Sequence, residues 1–246
     1  MGSLIYGINS VLESLRGRQR KALELLVDRN SASPRLAVVR DEATRRRVTI
    51  NPVSRQELDL LSGGERHQGV ALRVEEIASI QLEDLLAMWR SSEKKGLFLV
   101  LDGITDPHNL GALARSAEAS GCQGMILPKD RSCSITATAE KASAGALAHL
   151  PVCRVTNIAR TLDTLKREGF WVFGLAGEAG ALNLFEADLS GHVVLVVGDE
   201  GKGLRDNVRK HCDNLLSIPM RGQISSLNAS VAGGIALFEV LRQQVD

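Results

Sequence analysis

The stretch from Val193 to Phe238, VVLVVGDEGKGLRDNVRKHCDNLLSIPMRGQISSLNASVAGGIALF, constrains this chain most. Val193 to Val197 is an unbroken aliphatic run of strand length. Such a run, lacking polar alternation, suits a strand covered on both faces in a parallel sheet. It ends in Gly198-Asp199-Glu200-Gly201-Lys202-Gly203, a loop with three glycines and two acids. A short amphipathic helix is expected over Leu204–Cys212, then a second strand over Leu215–Ile218 closed by Pro219. Ser225-Ser226-Leu227-Asn228 then leads into a helix of small residues. Two strand ends and one helix start thus reach the same edge of a sheet, where open α/β folds hold ligands.

Upstream, strand and helix patterns alternate from Gly96 onward. Strands are expected over Leu97–Leu101, Gly124–Leu127, Val152–Val155 and Phe170–Leu175. Helices are expected over Leu110–Ser120, over the Ala-rich Thr138–Leu150, and over Asn157–Glu168 with Asn157 as cap. This order describes an α/β domain with a mostly parallel sheet of six strands. Residues 1–75 read as a smaller α/β module. It has a helix over Ile8–Leu15 capped by Asn9 or Ser10, strands over Leu36–Val39 and Arg45–Ile50, and a last strand over His67–Val74. The segment 76–95 carries a short amphipathic pattern at Ile80–Trp89 and a polar hinge, Ser91–Gly96; it is expected to link the module to a domain at 96–246.

The chain of 246 residues carries 30 Lys and Arg against 29 Asp and Glu, so it does not coat nucleic acid by charge alone. The charge is unevenly shared. Residues 1–75 hold 13 basic and 9 acidic side chains, and the remainder is slightly acidic. Arg45, Arg46 and Arg47, near Arg40, fit either a solvated face or a phosphate contact. Cys122, Cys133, Cys153 and Cys212 are widely spaced, with no metal-ligand spacing to His, so neither zinc nor disulfides are expected. With no signal peptide and no long apolar run, the expected setting is the cytoplasm, without membrane or metal.

Three motifs carry the candidate chemistry. In the first, a strand ends at Asp102-Gly103, Pro107 follows, and a helix opens at Asn109 with Arg115 two turns in. An Arg among Leu and Ala needs a partner, either a phosphate or a carboxylate such as Asp102 or Glu118. The second is the glycine loop 198–203. It meets neither the P-loop nor the dinucleotide pattern, and its acids favour a neutral or cationic ligand over a phosphate. The third is Ile218-Pro219-Met220 with Ser226-Leu227-Asn228, where the Ser and Asn fit helix caps as well as ligand contacts.

Together the motifs resemble the SpoU, or TrmH-like, branch of the SPOUT RNA methyltransferases. Asn109, Gly111 and Arg115 match its first motif. Gly198, Glu200, Gly201, Gly203 and Leu204 match the second, and Ile218-Pro219-Met220 with Ser226-Leu227-Asn228 the third. Ile5-Tyr6-Gly7, His67-Gln68-Gly69, Asp102–Asn109, Pro128–Ser132 and Arg154–Asn157 extend the resemblance to the bacterial enzymes that methylate a guanosine 2′-oxygen in 23S ribosomal RNA.

That resemblance implies an N-terminal RNA-binding domain similar to ribosomal protein L30e and a SPOUT catalytic domain whose C-terminus is threaded into a trefoil knot. It implies S-adenosylmethionine as cofactor, a homodimer with each site near the subunit interface, and 23S rRNA or the assembling large ribosomal subunit as partner. The acceptor would be a guanosine ribose in the peptidyl-transferase region. By the same resemblance the cofactor is held at Leu175, Ala176, Gly177, Gly198, Glu200, Gly203, Ile218, Met220, Ser226 and Leu227. Arg115 is the implied catalytic residue, stabilising the developing alkoxide, with Asn109, Glu200, Ser226 and Asn228 around it. The alternatives are the same transfer to a tRNA or another rRNA position, and an RNA-binding assembly factor without catalysis.

Overall fold

The computed structural model describes residues 3–17, 19–178 and 180–245; the expected domain ends at 1, 2 and 246 lie outside them. Residues 3–74 build a four-stranded sheet. Its strands are β1 (Ser3–Tyr6), β2 (Ala22–Asp28), β3 (Thr49–Val53) and β4 (Val70–Val74), in the order β1-β4-β2-β3. Pro52 sits in β3, an edge strand, where a missing N–H costs no ladder bond. The helices are α1 (Ile8–Arg16), α2 (Pro34–Arg45) and α3 (Arg55–Leu61).

Several expectations for this module are corrected. Leu36–Val39 is not a strand but part of α2: Pro34 stands in its first turn, and Leu36, Val39 and Ala43 are buried at helical spacing. Four apolar residues alone do not distinguish a strand from a buried helix segment. Arg45–Ile50 is the end of α2, a turn through Arg47 at φ 56°, and the start of β3. Neither Asn9 nor Ser10 caps α1; the cap position is Gly7, and Gln68 Oε1 accepts the Ile8 N–H at 2.9 Å. The last strand starts at Val70 because Gln68 and Gly69 turn through positive φ.

The Val193 run lies at the middle of a second sheet. Its strands are β5 (Leu97–Asp102), β6 (Gly124–Pro128), β7 (Val152–Val155), β8 (Trp171–Leu175), β9 (Leu182–Asn183), β10 (Val193–Gly198) and β11 (Asn214–Ser217). Their order is β7-β6-β5-β10-β8-β11-β9, and every pairing is parallel. The strand beyond the expected six is the two-residue β9. Val193, Leu195 and Val197 pack with α5 (Pro107–Ala119) and α9 (Ala229–Gln244). Val194 and Val196 pack on the other face, with α4 (Leu82–Arg90), α7 (Ile158–Arg167) and Val208 of α8 (Asp206–Arg209). With both faces covered, burial is worth about 1.5–3 kcal/mol per aliphatic side chain, so no position in the run is polar. Among the described residues no helix is long and apolar enough to cross a membrane.

Three helix expectations change. The first motif's helix opens at Pro107 rather than Asn109, with Asp106 accepting the His108 N–H. The Ala-rich segment is α6 (Ala137–Ala142), a reversal through Ala144 and Gly145, and a 3-10 turn at Ala146–Ala148. The helix over Leu204–Cys212 shrinks to α8, because the Arg205 N–H is bonded to the Asp102 carboxylate and that residue is extended.

Residues 80–90, inside the expected linker, belong physically to the second sheet. Leu85 and Leu86 enter its core, and Ile80 bridges to Cys153. The two sheets meet through α6 and the turn after it. Arg20 and Glu140 form an ion pair at 2.6 Å with both side chains almost wholly buried. Gln19 Nε2 donates to the His149 carbonyl, and Lys141 Nζ to Glu65.

Candidate active site

The glycine loop after β10 folds on itself. Asp199 and Gly203 exchange backbone hydrogen bonds of 3.1 and 2.8 Å, and Asp199 Oδ1 accepts from the N–H groups of Gly201 and Lys202. Gly203 takes φ +64°, and a Cβ on Gly198 would overlap the Gly203 carbonyl. A turn this tight accepts only glycine at these two points. It projects Glu200 outward, while Asp199 holds the turn.

Three candidate residues from three motifs meet there. Asn109 Nδ2 donates to Glu200 Oε2 at 3.2 Å, and Asn228 Nδ2 donates to Glu200 Oε1 at 2.8 Å and to Asn109 Oδ1 at 2.9 Å. Asn228 also caps α9, its Oδ1 accepting from the N–H groups of Ser230 and Val231. Capping and site contact were alternatives on sequence grounds; Asn228 does both, through opposite ends of one amide.

Beside this cluster lies a cleft of about 170 Å³ at the C-terminal ends of β8, β10 and β11. Leu175, Ala176, Gly177, Gly198, Glu200, Gly203, Ile218, Met220, Ser226 and Leu227 all line it. Sequence reasoning missed Val197, Leu216, Ser225, Ala229 and Ala232, side chains with no chemical signature of binding. Its walls are mostly aliphatic or glycine, its charged side chains are Asp199 and Glu200, and among the described residues no Lys or Arg lines it. That donor set suits a small amphiphilic cation with a flat apolar part. Ser226, exposed on the rim, makes no side-chain bond to the Asn-Glu-Asn cluster.

Arg115 does not join the cluster. It follows Asn109 by six residues, about 9 Å along the helix and on another face. It is exposed, has no ion pair among the described residues, and lines a separate crevice with Asn9, Glu13, Glu118 and His149. The expectation that Arg115 pairs with Asp102 or Glu118 is therefore corrected. Asp102 takes Arg205 instead: its Oδ1 accepts from Nε at 2.6 Å and from Nη2 at 2.5 Å, and its Oδ2 accepts the Arg205 N–H at 2.9 Å. The available signal for this pair was a carboxylate ending a wholly apolar strand, which demands a cation. Arg45 and Arg46 both pair with Glu42.

Comparison with known proteins places this geometry. Residues 96–238 match the model of the SpoU rRNA Methylase family, and residues 4–79 match that for RNA 2'-O ribose methyltransferase substrate binding. The protein named 23S rRNA (guanosine-2'-O-)-methyltransferase RlmB from Xanthomonas campestris is 44% identical over 241 residues, 98% of this chain and 96% of its own. The protein of that name from Escherichia coli K12 is 43% identical over 244 residues, 99% of this chain and 100% of its own. Among solved structures, the SpoU methyltransferase AviRb from Streptomyces viridochromogenes, in complex with AdoMet, superposes with a TM-score of 0.80 at 25% identity, covering 98% of this chain and 90% of that one. With its methylase segment matched over more than half the chain and relatives this similar from end to end, the chain belongs to the SpoU rRNA methylase family.

Proposed function

We propose that this chain transfers a methyl group from S-adenosylmethionine to the ribose 2′-hydroxyl of a guanosine in 23S rRNA, in the peptidyl-transferase region. The observation that carries this reading is the Asn109–Glu200–Asn228 cluster at the acid-bearing, cation-free cleft, in a chain 44% identical over nearly its full length to an RlmB enzyme. When bound, the cofactor supplies an electrophilic methyl on a sulfonium. The apolar walls and the close backbone at Gly177, Gly198 and Gly203 hold it, and Asp199 and Glu200 complement its charge.

Glu200, with both oxygens fixed by Asn side chains, orients the acceptor ribose, and Ser226 on the rim adds a hydrogen bond to it. Holding the hydroxyl in line supplies part of the rate, and stabilising its developing negative charge supplies more. Arg115 provides the positive charge that stabilises it. Because Arg115 lies off the cleft of its own chain, this role requires a homodimer in which it serves the partner's site. Residues 1–75, an L30e-like module, bind the RNA, 76–95 connect, and 96–246 form the methyltransferase domain. The segment from Ile218 to Asn228, leaving β11 and returning to α9 against β10, is threaded into the knot. The protein works in the cytoplasm on 23S rRNA or the assembling large subunit.

The test is incubation of the purified protein with labelled S-adenosylmethionine and 23S rRNA lacking the modification, followed by mapping of ribose methylation. One new 2′-O-methylguanosine in the peptidyl-transferase region is expected. Methylation confined to tRNA or another rRNA position would replace the substrate, and cofactor binding without methylation of any RNA would leave an assembly factor.

A further inference from the structure

Another cavity, of about 360 Å³, opens at the same sheet edge as the cofactor cleft, on the opposite face of the sheet. It is lined by Arg131, Thr156, Asn157, Arg205 and Asn207, over a floor of Ile158, Ala159 and Val208. Among the described residues no carboxylate lines it. The nearest buried acid is Asp102, which lies behind Arg205 and takes its Nε and Nη2. A guanidinium held this way still has Nη1 to donate, in a fixed direction. Arg131 has no ion pair among the described residues, so its guanidinium is available to a ligand. Asn157 caps α7 with Oδ1, accepting from the Arg160 N–H at 3.1 Å, which leaves its Nδ2 donor.

The loop bearing Arg131 is braced. Lys129 N–H donates to the Val155 carbonyl at 2.8 Å, Ser132 Oγ to the Pro128 carbonyl at 2.7 Å, and Arg154 to Ser132 Oγ and the Cys133 carbonyl, both at 3.3 Å. Pre-ordered donors around a carboxylate-free cup suit a tetrahedral oxyanion, which accepts from several directions at once.

The cup also lies along the sheet edge from the reaction site. Asp102 is the register partner of Gly198, two residues before Glu200. Arg131 and Thr156 follow the second and third strands from β10, roughly 10 to 14 Å along the sheet edge at about 4.8 Å per strand. That span is a few nucleotides. We propose that this cup is a subsite for a backbone phosphate of the RNA strand carrying the target ribose, a deepening of the function proposed above. Such a contact fixes the strand's register without reading its sequence.

The test uses the full chain, 23S rRNA lacking the modification, and two variants of exposed residues, Arg131→Ala and Asn207→Asp; the second puts a carboxylate in the cup without changing side-chain size. RNA affinity is measured against salt, alongside S-adenosylmethionine affinity and the KM for RNA. For Arg131→Ala, RNA binding weakens roughly tenfold, as expected for a charge-assisted hydrogen bond. The log-log salt slope falls by about 0.7, the share of one single-stranded phosphate. Asn207→Asp weakens binding in the same direction, and cofactor affinity is unchanged in both. Wild-type RNA affinity and salt slope in both variants would overturn the subsite. Because binding is read without turnover, failure of the wild-type protein to methylate rRNA would count against the proposed reaction instead.

Discussion

Asn228 donates from Nδ2 to Glu200 Oε1 at 2.8 Å while its Oδ1 accepts the Ser230 N–H at 2.9 Å. One side chain thus ties the glycine loop to the start of α9. Asn228→Ala removes both, and the lost cap alone costs about 1 kcal/mol. Asn228→Ser restores a cap but has no second arm to reach Glu200. Chemical denaturation should therefore show Asn228→Ser close to wild type, while both variants lose at least tenfold in methyl transfer. Recovery of activity by Ser would reduce Asn228 to a cap.

Arg115→Ala should abolish turnover without changing S-adenosylmethionine affinity, because Arg115 does not line the cofactor cleft. If it serves the partner's site, subunits carrying Arg115→Ala mixed with subunits carrying Glu200→Ala regain about a quarter of wild-type activity, since half the dimers then hold one complete site. No complementation would return Arg115 to its own chain.

The buried Arg20–Glu140 pair joins the two sheets, yet Arg20 Nε and Glu140 Oε2 have no hydrogen-bond partner. Glu140→Ala leaves a buried unpaired guanidinium and should cost about 3–5 kcal/mol in urea unfolding. Arg20→Met with Glu140→Leu should recover most of that loss, because an apolar pair needs no desolvation of charge.

Asp102→Asn should cost less than the loss of Glu140, about 2 kcal/mol, because the released Arg205 side chain is 43% exposed and rehydrates. Its larger effect should be on the loop before Arg205, read as weaker cofactor binding by calorimetry. Unchanged affinity would separate the Asp102–Arg205 pair from the cleft.

Burial pushes the Cys122 and Cys212 thiols up to about 12 and Cys153 to about 11. A raised folded value means the native state holds its proton more tightly. The contribution is whole below the unfolded value of 9.0 and is lost as pH rises toward the folded value. Stability should decline above pH 9, and Cys122→Ala should decline less steeply, by up to about 1.4 kcal/mol per pH unit. Near neutral pH, Cys133, only half-buried, should react first with a thiol reagent.

The second sheet was legible because Leu97–Leu101, Gly124–Leu127, Phe170–Leu175 and Val193–Val197 are solid apolar runs, a pattern with few other solutions. The N-terminal module was less so. Leu36–Val39 carries the same composition as a strand, and only the burial of Leu36, Val39 and Ala43 on one side reveals α2. The residues lining the cleft beside Glu200 came from the family resemblance; glycines and aliphatics announce nothing by their own chemistry.

The sequence by itself determined the parallel α/β core, the glycine turn after Val197 and the three motifs, because these rest on local periodicity and on backbone conformations open to few residues. Only the tertiary structure decided partnership. Asp102 could have met Arg115 or Arg205, which lie 13 and 103 positions away along the chain. The β5–β10 register puts Gly198 beside Asp102, and the loop returning from Gly198 delivers Arg205 to the carboxylate. The helix after Asn109 carries Arg115 to another face. Hydrogen bonds and ion pairs act over a few ångströms, so which charges pair is settled by how strands are ordered in the sheet, and that order is not a local property of any segment.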